Sequence, residues 1–210
     1  MKILSLETTS EAGSVAFLEN DIKYEFFFEC PDIASRLVSS VESILEKSGV
    51  PLSHIDYFAV SNGPGSWTGT RLGLSFALGL AGGDKSRIHC VSSPHAIFFG
   101  IRGFKLPAVC LINAYSGKMY VSYFNGRFYY GKDYSPEKVS WREINEIYRE
   151  REVLITGPGI SILPDKATKL KKVKMAERYF AYPRAGINGL LAMERIKRRI
   201  SSLPLKPYYG

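Results

Sequence analysis

Asn62-Gly63-Pro64-Gly65-Ser66-Trp67-Thr68-Gly69-Thr70-Arg71-Leu72-Gly73 is the stretch from which the fold is read. A strand-like run, Tyr57-Phe58-Ala59-Val60-Ser61, precedes it, and an apolar helix candidate from Leu72 to Ala81 follows. Strand, glycine turn and helix start make a setting in which backbone amides can hold an anion. The two nucleotide motifs that use it are incomplete here. A dinucleotide fingerprint starting at Gly63 requires glycine where the chain has Thr68, and a lysine loop requires Gly-Lys-Ser or Gly-Lys-Thr where the chain has Gly69-Thr70-Arg71. A tight turn that lets a helix lie closely on a sheet explains the glycines equally well.

Gly69, Gly73, Ala77 and Ala81 recur every fourth residue and so share one helix face. Leu72, Leu74, Phe76, Leu78 and Leu80 cover most of the rest. Such a helix is buried in its own domain or half covered by a partner.

Upstream, Lys2 to Glu7 reads as a buried strand ending in an acid, followed by the small-residue turn Thr8-Thr9-Ser10-Glu11-Ala12-Gly13. Ser14 to Leu18 and Ile22 to Phe28 read as further strands joined at Asn20-Asp21. Pro31-Asp32 opens a helix with Leu37, Val38, Val41, Ile44, Leu45 and Ser48 on one face, and Gly49 stops it. Downstream, Ile88 to Val91 reads as a strand and Pro94 to Ile101 as a connecting helix. From Pro107 the pattern restarts: a strand to Ile112, a hairpin of Met119–Phe124 with Arg127–Tyr130 about Asn125-Gly126, a helix candidate Trp141 to Arg149, and a strand Val153 to Thr156 before Gly157-Pro158-Gly159. Ala185 to Arg199 is the last helix, and Leu203 to Pro207 is extended. The order β-β-β-α-β-α thus occurs twice, each time with Gly-Pro-Gly after the fourth strand. This predicts an α/β chain of two mixed five-stranded lobes, 1–103 and 104–210, in the duplicated architecture of actin, sugar kinases and Hsp70-type ATPases (the ribonuclease H-like fold).

The chain of 210 residues is long enough for a real core, with 45% hydrophobic and 23% charged residues. No apolar run reaches membrane-spanning length and no signal peptide is visible, so a cytoplasmic protein with no membrane contact is expected. Cys30, Cys90 and Cys110 lack paired spacing, and His54, His89 and His95 lack a zinc pattern, so no metal is expected. Net charge is +8, with basic residues clustered at 166–174 and again at Arg195, Lys197, Arg198 and Arg199. Solvated faces account for such clusters, which permit a nucleic-acid partner without requiring one.

Ile3 to Ala16, with Glu7-Thr8-Thr9-Ser10 at its centre, and Gly63 to Gly73 resemble the two diagnostic stretches of the bacterial TsaB family; Asn113 to Tyr123 is a looser echo of a third. The resemblance covers the first half well and the second mainly in layout. It implies a non-catalytic scaffold or activator in tRNA threonylcarbamoyladenosine formation. It also implies pairing with the related protein TsaD, as heterodimer or as homodimer in isolation, with the ATPase TsaE joining and tRNA reached only through the complex. Pairing in the family runs through helices of the first lobe, which here implies an interface at Leu37, Val41, Leu45, Trp67, Gly69, Arg71, Leu72, Gly73, Leu74, Phe76 and Ala77. If the small-residue stripe faces the home sheet, Leu72, Phe76 and Leu80 are left for the partner; if it faces the partner, the roles reverse. Glu7, Thr8, Thr9 and Ser10 mark where a residual nucleotide site would lie. Glu7 stands where the family usually has aspartate, and Asn113-Ala114-Tyr115 where it has Asp-Ala-Arg. An ATPase of this fold needs strand-tip carboxylates for magnesium and phosphates. Glu7 is the one acid closing the first strand, and the equivalent second turn offers Asn113 instead, so neither catalysis nor a cofactor is expected. An ATP-binding enzyme of the sugar-kinase type is the alternative, and a peptidase a third.

Overall fold

The computed structural model describes residues 1–30, 32–104, 106–114, 117–131, 134, 136–140, 152–163 and 173–209. The expected helix at 141–149, the basic run at 166–172 and Tyr115 lie outside them. The first sheet holds β1 (Lys2–Glu7), β2 (Ala12–Glu19), β3 (Asp21–Glu29), β4 (Tyr57–Ser61) and β5 (Ile88–Val91) in the order β3-β2-β1-β4-β5. β1–β2 and β2–β3 are antiparallel, while β1–β4 and β4–β5 are parallel. The second sheet repeats this with β6 (Ala108–Asn113), β7 (Lys118–Phe124), β8 (Glu137–Ser140), β9 (Val153–Thr156) and β10 (Val173–Met175) in the order β10-β9-β6-β7-β8. Pairing directions match strand for strand. The duplicated α/β architecture is therefore present.

Strand side chains alternate between two buried faces. Leu4, Leu6, Val15 and Phe17 join a core under α1 (Ile33–Ser48) and α2 (Trp67–Leu80). Ile3, Ala16 and Leu18 face the opposite way, onto Leu191 and Ala192 of the last helix. Asp32 caps α1, its Oδ1 accepting from the Ser35 amide at 3.1 Å, and Gly49 ends the helix in the left-handed region at φ 65°. Val38, expected on the buried face, is 45% exposed, because burial centres on Leu37, Ser40, Val41 and Ile44.

Three expectations change. The last helices, α4 (Arg178–Ala181) and α5 (Ala185–Lys197), do not both stay with the second lobe. α5 lies across β1, β2 and β4, so the first lobe is built from 1–103 plus 185–209 rather than from 1–103 alone. Glu25 and Ser14 of the first sheet accept from the Gly186 and Ala185 amides at 2.8 Å, capping α5 from another part of the chain. Second, Arg127–Tyr130 is not a strand. Phe128 and Tyr130 turn inward onto Phe99, and Glu137–Ser140 takes the place beside β7. Third, Arg195 is 4% exposed rather than solvated; its guanidinium donates to the Tyr130 and Ser201 carbonyls at 2.8 Å. The connecting helix α3 (Ser93–Gly100), buried through Phe99, sits between the two sheets and touches α5 and β6.

Candidate functional site

The glycine turn lies against the β1–β2 hairpin. A methyl group on Gly65 would sit 2.1 Å from the Thr9 carbonyl oxygen; one on Gly69 would sit 2.0 Å from that of Thr8; one on Gly73 would sit 2.5 Å from Thr8 Oγ1. The glycines therefore admit the chain's own backbone where other glycine turns admit a phosphate. The Ser66 amide donates to the Thr9 carbonyl at 2.7 Å, and the Thr8 hydroxyl to the Gly69 carbonyl at 2.7 Å. Ser66 caps α2, its Oγ accepting from the Gly69 amide at 3.1 Å. The helix therefore starts at Trp67, earlier than the expected Leu72. The small stripe faces the home sheet. Gly69, Gly73, Leu74 and Ala77 are buried, as are Leu37 and Val41 of α1. Their place in the expected interface is corrected: they are core. Leu45, Leu72, Phe76 and Leu80 are half-buried, and Trp67 and Arg71 are exposed.

Arg71 lies 3.6 Å above the Trp67 ring, and Tyr209 stacks on Trp67 at 4.1 Å between centroids. The chain end reaches that position along the first lobe. The Leu203 amide donates to the Cys90 carbonyl at 3.2 Å and the Tyr208 amide to the Asn62 carbonyl at 2.9 Å. The Tyr120 hydroxyl of the second lobe donates to the Tyr209 carbonyl. The sequence predicts only an extended tail over Leu203 to Pro207; Tyr208-Tyr209 just beyond it is the one available signal.

Glu7 does not face the space between the lobes. It is 1% exposed, and its Oε1 accepts from the Thr9 amide and hydroxyl, both at 2.6 Å. Its Oε2 accepts from Asn188 of α5 at 2.8 Å. Burial pushes this carboxyl up, against the hydrogen bonds from Thr9 and Asn188. Because the Thr9 hydroxyl donates to Glu7, it accepts from Ser93 Oγ at 3.0 Å, and Ser93 in turn accepts from Ser61 at 2.9 Å. Ser61 Oγ also accepts from the Gly63 amide at 3.2 Å. One polar chain thus joins hairpin, turn, α3 and α5.

Of the four expected nucleotide-site residues, only Thr9 and Ser10 line the cleft between the lobes; Glu7 and Thr8 point into the structure beneath it. The cleft, about 480 Å³, is also lined by Glu11, Cys30, Gly65, Asn113, Pro158 and Ser161. Glu11 is the one charged side chain among its described lining, and no lysine or arginine faces a phosphate there. Among the described residues no cluster of His, Cys, Asp and Glu could hold a metal ion. His89 and His95 are pushed down to about 4 and about 3 by burial and by Arg195; burial pushes the Cys90 thiol up to about 12. No helix among the described residues is long and apolar enough to cross a membrane.

A family model described as TsaD, tRNA N6-adenosine threonylcarbamoyltransferase, matches residues 31–135, half of the chain. The chain belongs to the TsaB/TsaD family. The tRNA threonylcarbamoyladenosine biosynthesis protein TsaB of Escherichia coli (strain K12) is 45% identical over 83 residues, which are 39% of this chain and 36% of that protein. The match thus spans little more than a third of the curated TsaB relative. The solved structure of YeaZ from Pseudomonas aeruginosa aligns with a TM-score of 0.77 at 21% identity, covering 100% of this chain and 99% of that one. An activator of 2-hydroxyisocaproyl-CoA dehydratase from Clostridium difficile, solved with bound ADPNP, shares the fold more distantly, at TM-score 0.56 and 9% identity over 97% of this chain and all of that one. These names place the chain on the TsaB side of the family, in an actin-like ATPase architecture.

Proposed function

We propose that the chain is a non-catalytic subunit in tRNA N6-threonylcarbamoyladenosine formation, one that pairs with the transferase TsaD and positions it. The observation that carries this reading is the filling of the glycine turn by the chain's own hairpin. The Thr8 and Thr9 carbonyls lie against Gly69 and Gly65, so the glycines of the turn serve the chain's own backbone and leave it no open face for a phosphate, and Glu7 is buried on Asn188. Among the described residues, a cleft whose one charged lining group is Glu11 repels a triphosphate and offers no paired carboxylates for magnesium. These features weigh against the sugar-kinase alternative, and nothing in the arrangement supports a peptidase. With the small stripe turned inward, the partner surface is the outer side of α1 and α2: Val38 and Leu45 on one, Trp67, Arg71, Leu72, Phe76 and Leu80 on the other. A second copy pairing there in isolation would compete with TsaD for the same surface. TsaE would join the pair, tRNA would be met within that assembly, and the setting would be the cytoplasm.

Reconstitution tests this. TsaD with threonylcarbamoyl adenylate and tRNA should transfer poorly alone and well with the chain added, while the chain alone should not turn over ATP. Magnesium-dependent ATP hydrolysis by the pure chain, or transfer by TsaD indifferent to it, would overturn the reading.

A further inference from the structure

On the face of the first sheet opposite α1 and α2, the segment 127–131 crosses the C-terminal end of α5. Phe128 and Tyr130 turn inward: Phe128 lies 5.1 Å from the His95 ring and 5.4 Å from that of Phe99, and Arg195 donates to the Tyr130 carbonyl at 2.8 Å. Between them Tyr129 points out, 42% exposed, its amide donating to Tyr134 Oη at 3.0 Å. A tyrosine held on a fixed backbone loses little freedom on meeting a ligand. Arg127 lies 5.4 Å from the Tyr129 ring centre, and Arg198 lies 4.1 Å from that of Tyr130. Lys197 and Arg199 flank Arg198, and all three are exposed. Glu194 is the acid paired to this group, 3.4 Å from Arg198 and 3.6 Å from Lys197. Among the described residues, four exposed cations against one acid leave a net positive patch around an exposed ring on an anchored backbone.

We propose that this patch is a contact surface for unpaired nucleotides of a structured RNA. A base would stack on Tyr129, and the adjoining phosphates would lie against Arg127, Arg198 and Arg199. Aromatic platforms flanked by arginine serve single-stranded segments because every base has a stackable face, while backbone charge is met by guanidinium. The choice of RNA over an acidic protein rests on the tRNA-modification reading above. The patch and the proposed pairing helices lie on opposite faces of the first sheet, so one occupant does not exclude the other.

The test is titration of the full chain, alone and with TsaD, into a fluorescently labelled RNA stem-loop over salt from about 50 to 200 mM. Arg127→Ala and Arg198→Ala should each lower the slope of log affinity against log salt by about 0.7. Tyr129→Ala should weaken binding roughly 5- to 150-fold with little change in slope, and Tyr129→Phe should bind as wild type. Tyr129 is outward-facing, and circular dichroism would verify that each variant is folded. Absence of wild-type binding in both settings, or variants indistinguishable from wild type, would overturn the proposal. Binding of polyglutamate in place of RNA would overturn it too, and would assign the patch to an acidic protein. The same patch variants should still pair with TsaD. A chain that binds RNA through Tyr129 but never associates with TsaD would sink the functional reading and leave this one standing.

Discussion

The two glycine turns occupy equivalent places after the fourth strand of each lobe, yet they lead to different structures. In both, the glycines press on the neighbouring central strand and its hairpin. Gly65 and Gly69 meet the carbonyls of Thr9 and Thr8, whereas Gly157 and Gly159 meet that of Leu111, at 2.2 and 2.8 Å from where a methyl would stand. After the first turn Ser66 caps a helix of 14 residues; after the second, Gly157 offers no side-chain cap and a 3-10 helix of five residues follows. The strand tips differ as well: Glu7 is buried and bonded to α5, whereas Asn113 is half-buried in the cleft wall. A repeated fold has thus kept the close approach in both halves. Among the described residues, a long apolar helix follows only the first turn, and Tyr209 stacks at its start.

The largest expected effect tests whether close approach is what the glycines serve. Gly69→Ala must move the Thr8 backbone and should cost about 3 kcal/mol, the upper part of the overpacking range, in urea denaturation. Gly157→Ala, strained also by its φ of 96°, should cost at least as much. Near-wild-type stability of either would break the comparison. Glu7→Gln comes next. Folding raises the Glu7 pKa above 4.5, so the native state holds its proton more tightly than the unfolded chain. Stability carried by that proton is present below 4.5 and falls as pH rises through the raised value, by at most about 1.4 kcal/mol per pH unit. The difference between wild type and Glu7→Gln should grow across that window and be flat below it; a constant difference would show that Glu7 does not titrate there. Gly79→Ala sharpens the contrast from the other side. Nothing lies within 4 Å of the added methyl on that exposed position of α2, so the substitution should stabilise by about 0.8 kcal/mol. The smallest effect belongs to Asn113→Asp, expected within about 0.5 kcal/mol of wild type because the side chain reaches the cleft.

Much of this architecture was legible because its signals are local. Ile88–Val91 and Val153–Thr156 begin and end where their apolar runs do, and Gly49 stops α1 as its position implied. The return of α5 to the first sheet was not legible, since it depends on contacts more than 150 residues apart, such as Asn188 with Glu7. Gly186 and Gly189 were a missed hint: methyl groups there would meet Ile22 at 2.6 Å and Leu18 at 2.4 Å. Asn125-Gly126 formed a turn as its composition demands, with Asn125 Oδ1 accepting from the Arg127 amide at 3.2 Å. The following strand lost out because Phe128 and Tyr130 gain more by burial among the rings around α3. At the candidate site, residue types could mark Glu7 to Ser10 and the small stripe, but not which way either faced.

Sedimentation velocity of the chain mixed with TsaD asks most directly whether the first lobe's outer helices carry the function. Three exposed substitutions that leave the core untouched suffice: Val38→Asp on α1, Ser75→Arg on α2, and Tyr123→Asp on β7 of the second lobe. Wild type and Tyr123→Asp should form a heterodimer of equal affinity, while Val38→Asp and Ser75→Arg should each weaken it roughly thirty-fold, as expected for a loss of about 2 kcal/mol at an interface. Unimpaired pairing by both helix variants, or loss of pairing confined to Tyr123→Asp, would contradict the assignment of the partner surface to α1 and α2.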